Sequence, residues 1–463
     1  MNIDSNKELN DKTILRLITK YNTPVPRYTS YPTAVEFRPD FKENIFFKAL
    51  SELNPENSIS VYIHIPFCEN RCLYCGCNVL VSRKREIADI YINYLIEEIK
   101  IKLESVKFKP KVSQLHFGGG TPNYLTLDLW KKLVKTLKES FIFNNDIEWS
   151  VELDPMACDI NYLNTLQNLG INRVSFGVQD VNRKTQEAVN RIQDMNHINS
   201  LIDHCRKLKF DSVNIDFIYG LPHQTYESFK ENIKWIDKYR PDRIAIFSYA
   251  HIPWIKKHQN KMPLEALTTP EEKLKIYLGV QKDLKKAGYR QIGMDHYALP
   301  EDPLSLAQED YSLHRNFMGY TTQANLAMLA FGASSISEVN GVFAQNHNKL
   351  KAYKNSITEK KDWFEKGLER NEDDEKREEI IQSIMNNFRV NIKNFEKKWN
   401  VDFQKKYLKE YLKLKELSKE GLVNISNNEI NVTELGRYIV RHIAKTFDAY
   451  RHEGEKIGFS KGI

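Results

Sequence analysis

The chain has 463 residues with 68 Lys and Arg against 61 Asp and Glu, so its net charge of +7 is modest and spread along the length; it favours an acidic small molecule as ligand and does not demand nucleic acid. Hydrophobic residues make up 41%, ordinary for a soluble globular protein of two or three domains with a sizeable core. No apolar run approaches the ~20 residues that cross a bilayer, and Met1–Lys20 is polar and mixed in charge, unlike a signal or transit peptide, so a reducing cytoplasmic location away from the membrane is expected.

In chain order, Lys12–Tyr21 reads as a helix and Pro24-Val-Pro-Arg-Tyr-Thr-Ser-Tyr-Pro-Thr33 follows it. Three prolines in ten residues exclude a helix interior. Residues 1–50 are therefore a helix and an extended arm, which is either a surface linker or a segment lying on the rest of the protein. Strands are expected at 59–65, 113–117, 148–153, 173–179, 212–217 and 242–247, with helices between them; Ile87, Ile90, Tyr91, Tyr94 and Leu95 show the helical stripe. This alternation argues for an α/β fold of parallel units. Short loops and the lack of Gly-x-Gly-x-x-Gly favour a barrel or part-barrel over a dinucleotide fold.

Within the strands, Ile59, Val61, Ile63 and Ile65 oppose Tyr62 and His64, and Val174, Phe176 and Val178 oppose Ser175, Gly177 and Gln179. Trp149, Val151 and Leu153 likewise oppose Ser150, Glu152 and Asp154, and Val213, Ile215 and Phe217 oppose Asn214 and Asp216. Aliphatic rows facing the helices leave a polar lumen, which costs free energy unless water or a ligand satisfies it. The barrel therefore reads as a container whose site lies toward the carboxyl ends of the strands. Gly118-Gly-Gly-Thr121-Pro122 follows the second strand and lets a ligand approach the backbone closely. Arg191, in the segment after the fourth strand, is the most ambiguous, since a lone arginine is usually a solvated surface charge.

The first strand runs into Cys68-x3-Cys72-x2-Cys75-x-Cys77, so four of six cysteines fall within ten positions. Three thiolates at this spacing suit one cubane [4Fe–4S] cluster with its fourth iron open. Structural zinc needs two ligand pairs, whereas Cys158 and Cys205 stand alone. A redox Cys-x-x-Cys would leave Cys68 and Cys77 unused, and a disulfide scaffold does not suit a long chain with few cysteines.

Beyond residue 247 the pattern loosens. A loop (248–253), a helix (Glu271–Ala287), a further strand (Tyr289–Ala298) and irregular stretches at 314–323 and 330–336 are expected to close one side of the barrel. The tail from about 365 is charged and mostly helical. Its helix end, strand, Asn-Asn turn, strand and helix (Glu434–Phe447) resemble a winged-helix module. It lacks the dense Lys/Arg stripe of a DNA reader, so a lid or docking role is favoured.

The cysteine spacing is that of the radical S-adenosylmethionine (SAM) enzymes. Together, PRYTSYPTA (26–34), YIHIPFC…CLYCGCN (62–78), HFGGGTP (116–122), VELDP (151–155), FGVQD (176–180), NIDFIYGLP (214–222), GMDHYA (293–298) and GYTTQ (319–323) resemble the oxygen-independent coproporphyrinogen III oxidases over nearly the whole length. The resemblance implies a radical SAM partial (β/α) barrel at 51–364, an amino-terminal helix and arm at 1–50, and a mostly helical, winged-helix-like domain at 365–463. It implies oxidative decarboxylation of two propionates of coproporphyrinogen III to vinyl groups, giving protoporphyrinogen IX in haem biosynthesis. One [4Fe–4S] cluster on Cys68, Cys72 and Cys75 would chelate SAM, whose one-electron cleavage yields a 5′-deoxyadenosyl radical. Two SAM molecules are implied, one matching Tyr62, Gly119, Glu152 and Ile336. The other matches Tyr74, Gly120, Thr121, Gln179, Arg191, Asp216 and Ala250. No catalytic residue beyond cluster and radical is implied, Cys77 is not an iron ligand, and the arm joins in substrate capture.

A reducing electron donor is expected as partner, with no nucleic acid or membrane, and the chain as a monomer. Two alternatives differ in class. A related haem chaperone would keep the cluster loop but usually lacks the arm and fourth cysteine, and carries Asn-x-x-Tyr-Trp where this chain reads Asn316-Phe-Met-Gly-Tyr. A cluster-containing DNA regulator would bind DNA with steep salt dependence.

Overall fold

The computed structural model describes residues 11–21 and 23–451. All six expected strands form: Ser58–Ile65, Lys111–Gly119, Ile142–Leu153, Arg173–Gln179, Ser212–Tyr219 and Arg243–Ser248. They pair in parallel in chain order. Register sorts their two faces. Ile63, Phe117, Val151, Val174 and Val213 stand side by side as one buried row. The opposite face carries Glu152, Ser175, Asn214 and Arg243 in one row and Gly177, Asp216, Ala245 and His296 in the next. Period-two alternation thus becomes an apolar outer wall and a polar lumen.

Helices cover the apolar wall. In Glu86–Glu104 the buried stripe is Tyr91, Ile92, Leu95 and Ile99, while Ile90 is 56% exposed, so the true stripe is rotated from the expected one. Helix starts are set by side-chain caps: Thr126 accepts from Leu129 N, Asp159 from Tyr162 N, and Thr225 with Ser228 forms a capping box.

The sheet has twelve strands and does not close, ending at Phe364–Glu369 on one edge and Arg290–Ile292 on the other. Two expectations are corrected here. The single strand at 289–298 is two short antiparallel strands, Arg290–Ile292 and His296–Ala298, joined by a turn in which Gly293 takes φ +55°. The stretches read as irregular contain a hairpin, His314–Asn316 with Gly319–Thr321, and a further parallel strand, Met328–Phe331, beside the first. Runs of three or four residues are too short for periodicity to register. The edge strand Phe364–Glu369 runs across the 364/365 boundary at which the composition changes, and Arg38 of the arm pairs with its Gly367, so this edge is partly covered.

The tail builds a second core around Ile380, Ile384, Phe395, Tyr407, Leu414 and Ile443, with a three-stranded sheet of Arg389–Asn391, Glu429–Val432 and Val423–Ile425. Its last helix is broken into Glu434–Arg437 and Val440–Lys445 rather than continuous to Phe447. Gly436 packs so tightly on the Leu422 carbonyl that a Cβ would lie 2.1 Å from it. The arm is no free linker. Tyr28 and Tyr31 are wholly buried in this second core, Tyr28 Oη donates to Asp448 at 2.9 Å, and the Ala449 amide donates to Tyr31 Oη at 2.9 Å.

Candidate functional site

The lumen opens as a cavity of about 640 Å³ at the carboxyl ends of the strands, within the size range of ligand pockets. The cysteine loop forms one wall. Its base is tied by Leu80 N to Pro66 O (2.7 Å) and Ser82 N to Cys68 O (3.0 Å), and its tip by Leu73 N to Val189 O (2.9 Å). Cys68, Cys72 and Cys75 are half-buried on the cavity, Cys77 lines it too but is exposed, and Cys158 and Cys205 are buried elsewhere in the hydrophobic core.

The three thiols suit a cluster by their surroundings. Thr121 Oγ1 lies 3.2 Å from Cys68 Sγ, and Arg191 Nη1 donates to Cys72 Sγ at 3.4 Å. Among the described residues no three His, Cys, Asp or Glu converge as single-ion ligands, and a cubane does not require that, because each cysteine serves a different iron. Next to the thiols, Gln179 takes φ +70° and its buried Oε1 has no protein partner. Such an orphaned acceptor beside a cavity fits a polar ligand.

The glycine loop is shaped for close approach. A Cβ on Gly118 would sit 2.9 Å from the Glu152 carboxylate, and one on Gly120 2.7 Å from the Phe67 carbonyl. Gly119 takes φ +115° and its amide donates to Glu152 Oε2 at 3.2 Å. Burial would raise the Glu152 carboxyl, but the hydrogen bond and charge of His116 and the Gly119 amide outweigh it and hold it below the usual range. His116 Nε2 lies 3.2 Å from Glu152 Oε1 and its Nδ1 2.6 Å from Ser150 Oγ, and the ring stacks on Tyr62 at 5.9 Å. Tyr62 Oη meets His64 Nδ1 at 3.0 Å, and burial lowers His64 to about 4, leaving it neutral.

Arg191 is not a surface charge. It donates to Gly177 O at 2.6 Å and to Asp154 Oδ1 at 3.3 Å. Asp216 faces the same space, accepting from Asn214 Nδ2 at 2.7 Å and Ser175 Oγ at 3.2 Å. Burial, reinforced by the charge of Glu152, raises its carboxyl to about 7.

Of the eleven residues named from the resemblance, Tyr74, Gly119, Gly120, Thr121, Glu152, Gln179, Arg191, Asp216 and Ala250 line this cavity. Tyr62 reaches it through His116. Ile336 packs instead near Phe37 and Phe343 and is not among the lining residues. The sequence reading did not single out His116, Gln259, Arg243 or Arg27. His116 was findable from the polar alternation of its strand. Gln259, whose Nε2 binds both Tyr74 O (3.1 Å) and Ala250 O (3.2 Å), carries no such signal.

Opposite the thiols, the open seam of the barrel carries a cationic group. Arg27 of the arm lines the cavity, pairs with Asp295 and lies over the Phe247 ring at 5.8 Å. His296 Nδ1 meets Asp295 Oδ1 at 2.8 Å, and Arg315 and Arg441 are near enough to feel the same carboxylate. Burial opposes ionisation of Asp295, yet Arg27, Arg315 and His296 hold it far below the usual range. Three guanidiniums and an imidazole thus share one carboxylate, which leaves the seam net positive.

A family model described as the radical SAM superfamily matches residues 62–236, and one described as the HemN C-terminal domain matches 371–439. Oxygen-independent coproporphyrinogen III oxidase of Escherichia coli (strain K12) is 42% identical, covering 97% of this chain and 98% of the relative. The enzyme of the same name from Synechocystis is 41% identical, covering 96% of this chain and 97% of the relative. The solved structure of coproporphyrinogen III oxidase (HemN) from Escherichia coli, described as a radical SAM enzyme, aligns with a TM-score of 0.90 at 42% identity over 94% of this chain and 99% of that one.

Proposed function

This chain belongs to the oxygen-independent coproporphyrinogen III oxidase family of radical SAM enzymes, and from that membership we propose how its own residues divide the work. The family's cofactors are a [4Fe–4S] cluster and SAM, and the full-length match sets aside the haem-chaperone and DNA-regulator readings. Cys68, Cys72 and Cys75 hold the cluster; what supports this is that the three thiols of the Cys-x3-Cys-x2-Cys spacing open onto one cavity that Gln179, Arg191 and Asp216 also line, with Cys77 beside them. That shared exposure carries the reading.

When bound, cluster and SAM would supply hydrogen-atom abstraction from an unactivated carbon, here the propionate β-carbon; loss of CO2 together with one electron, passed to an acceptor, then leaves the vinyl group. The chain's residues bind and orient. Two SAM molecules are proposed. Tyr62, Gly119, Glu152 and Ile336 serve the first, Ile336 from a position off the cavity lining. Tyr74, Gly120, Thr121, Gln179, Arg191, Asp216 and Ala250 serve the second. Gly119 and Gly120 let the loop pack against His64 and the Phe67 carbonyl at the cavity wall, the ionised Glu152 offers a charged acceptor, and Asp216, raised to about 7, is half protonated at neutral pH.

Coproporphyrinogen III carries four propionates, and the net-positive seam around Arg27 supports its capture there, with the arm and carboxy-terminal domain as one cap. We extend the reading to a monomer in a reducing cytoplasm, binding neither nucleic acid nor membrane. The six free thiols support the location, and no helix among the described residues is long and apolar enough to cross a membrane.

The test is an anaerobic assay of reconstituted protein with SAM, a reductant and coproporphyrinogen III, reading CO2 and 5′-deoxyadenosine. Replacing Cys68, Cys72 or Cys75 by Ala should abolish cluster assembly. An intact cluster in those variants would falsify the ligand assignment.

A further inference from the structure

Two loops that meet beside the thiols form a surface unlike the rest of the chain. Residues 69–84 carry the cysteines, and residues 251–262 follow the sixth strand. His258 Nε2 donates to Cys75 O at 2.8 Å, Lys256 Nζ to Cys77 O at 3.0 Å, and Arg71 Nη1 lies 3.5 Å from His258 Nδ1. The two segments contain Arg71, Arg83, Lys84, Lys256, Lys257 and Lys261 against a single carboxylate, Glu69, and Glu69 is already paired with Arg85. Six to one stands far from the 68 to 61 of the whole chain. All but Lys256 of these basic side chains are exposed.

In the same loop, Trp254 is 69% and Ile255 60% exposed, the highest values among the exposed large hydrophobic residues. An exposed tryptophan in a loop that also carries Lys256, Lys257 and Lys261 is the composition of a protein-docking surface, whereas a merely solvated face needs no aromatic. The surface also has a particular position. The thiols open onto the cavity, while the Cys75 and Cys77 carbonyls of the same loop are held by His258 and Lys256 of this patch, which places the patch directly behind the cysteine loop. The cavity side is left to cofactor and substrate. Electrons for the reaction have to arrive from outside, on the remaining side.

We propose that this basic, tryptophan-bearing surface docks a small acidic electron-carrier protein. The carrier is oxidised by one electron and the cluster reduced by one, and no atom is transferred. The proposal rests on the cluster assignment above. Charge complementarity selects the partner, because steering by opposite fields raises encounter rates and disfavours basic partners.

The experiment uses the reconstituted holoenzyme and a purified acidic flavodoxin as probe. Its Kd is measured by fluorescence titration at low and high ionic strength, alongside SAM cleavage driven either by the reduced flavodoxin or by dithionite. Binding should weaken steeply with salt. The variant K257E/K261E should raise Kd by about tenfold or more, and W254A should raise it as well, while dithionite-driven cleavage stays at the wild-type rate. An unchanged Kd in both variants overturns the proposal, as does an equal loss with both reductants. A wild-type holoenzyme that binds flavodoxin salt-sensitively but never turns over coproporphyrinogen III would overturn the substrate reading and leave this surface standing.

Discussion

Arg191 Nη1 donates to Cys72 Sγ at 3.4 Å while its Nη2 holds Asp154 Oδ1 at 3.3 Å. One guanidinium therefore ties a proposed cluster ligand to the strand end that borders the cavity. Arg191→Ala should leave iron content and the cluster absorption band intact and lower kcat/KM about 10–100-fold, the usual cost of removing a partner of a metal ligand. Loss of the cluster in this variant would show that Arg191 is needed for assembly.

Asp216 gives a pH signature in the cluster-free protein. Its folded carboxyl titrates at about 7, against roughly 3.9 in an unfolded chain. The folded state binds the extra proton, so stability falls as pH rises from about 4 through 7. Asp216→Asn removes this loss. Urea unfolding should show the variant's advantage growing by roughly 2–3 kcal/mol between pH 5 and pH 8. A flat difference across that range would place the elevated carboxyl elsewhere.

The arm is held by its tyrosines. Tyr28→Ala should cost about 3–5 kcal/mol, as for other large aromatic truncations in a core, and Tyr28→Phe about 1 kcal/mol through the lost bond to Asp448. Thermal unfolding measures both. Near-equal effects would mean that the hydroxyl, rather than the ring, anchors the arm.

At the seam, Asp295 balances Arg27, Arg315 and His296. Asp295→Asn should destabilise by about 3–5 kcal/mol by leaving buried charge uncompensated. Arg27→Ala should chiefly raise KM for coproporphyrinogen III and spare SAM cleavage in the absence of substrate.

Cys77→Ser should retain four irons per chain, since the proposed ligands are Cys68, Cys72 and Cys75 and a serine hydroxyl can keep the hydrogen bond that the Cys77 side chain makes to Cys75. Iron and sulfide analysis of the reconstituted variant decides this.

Much of the barrel was legible because periodicity two is a local property: a residue and its second neighbour share a face whatever lies beyond. The rows Glu152–Ser175–Asn214–Arg243 and Gly177–Asp216–Ala245–His296 follow from that alternation once the strands align. The short strands at 290–298, 314–321 and 328–331 were not legible, because three or four residues carry no period. Their strand character comes from neighbours that supply hydrogen bonds. The docking of Tyr28 and Tyr31 was likewise undecided, since prolines tell a chain to extend but not what to lie against.

By itself the sequence determined the chemistry available. Three thiols at a fixed spacing, glycines after the second strand and polar residues on alternate positions are covalent facts that survive any arrangement. Only the tertiary structure decided which of them meet. Arg191 passed from ambiguous charge to partner of Cys72, Arg27 crossed from the arm to Asp295, and Ile336 fell outside the lining. Those outcomes depend on contacts between residues more than a hundred positions apart, set by sheet register and by the competition to bury apolar surface. No local pattern encodes such distances.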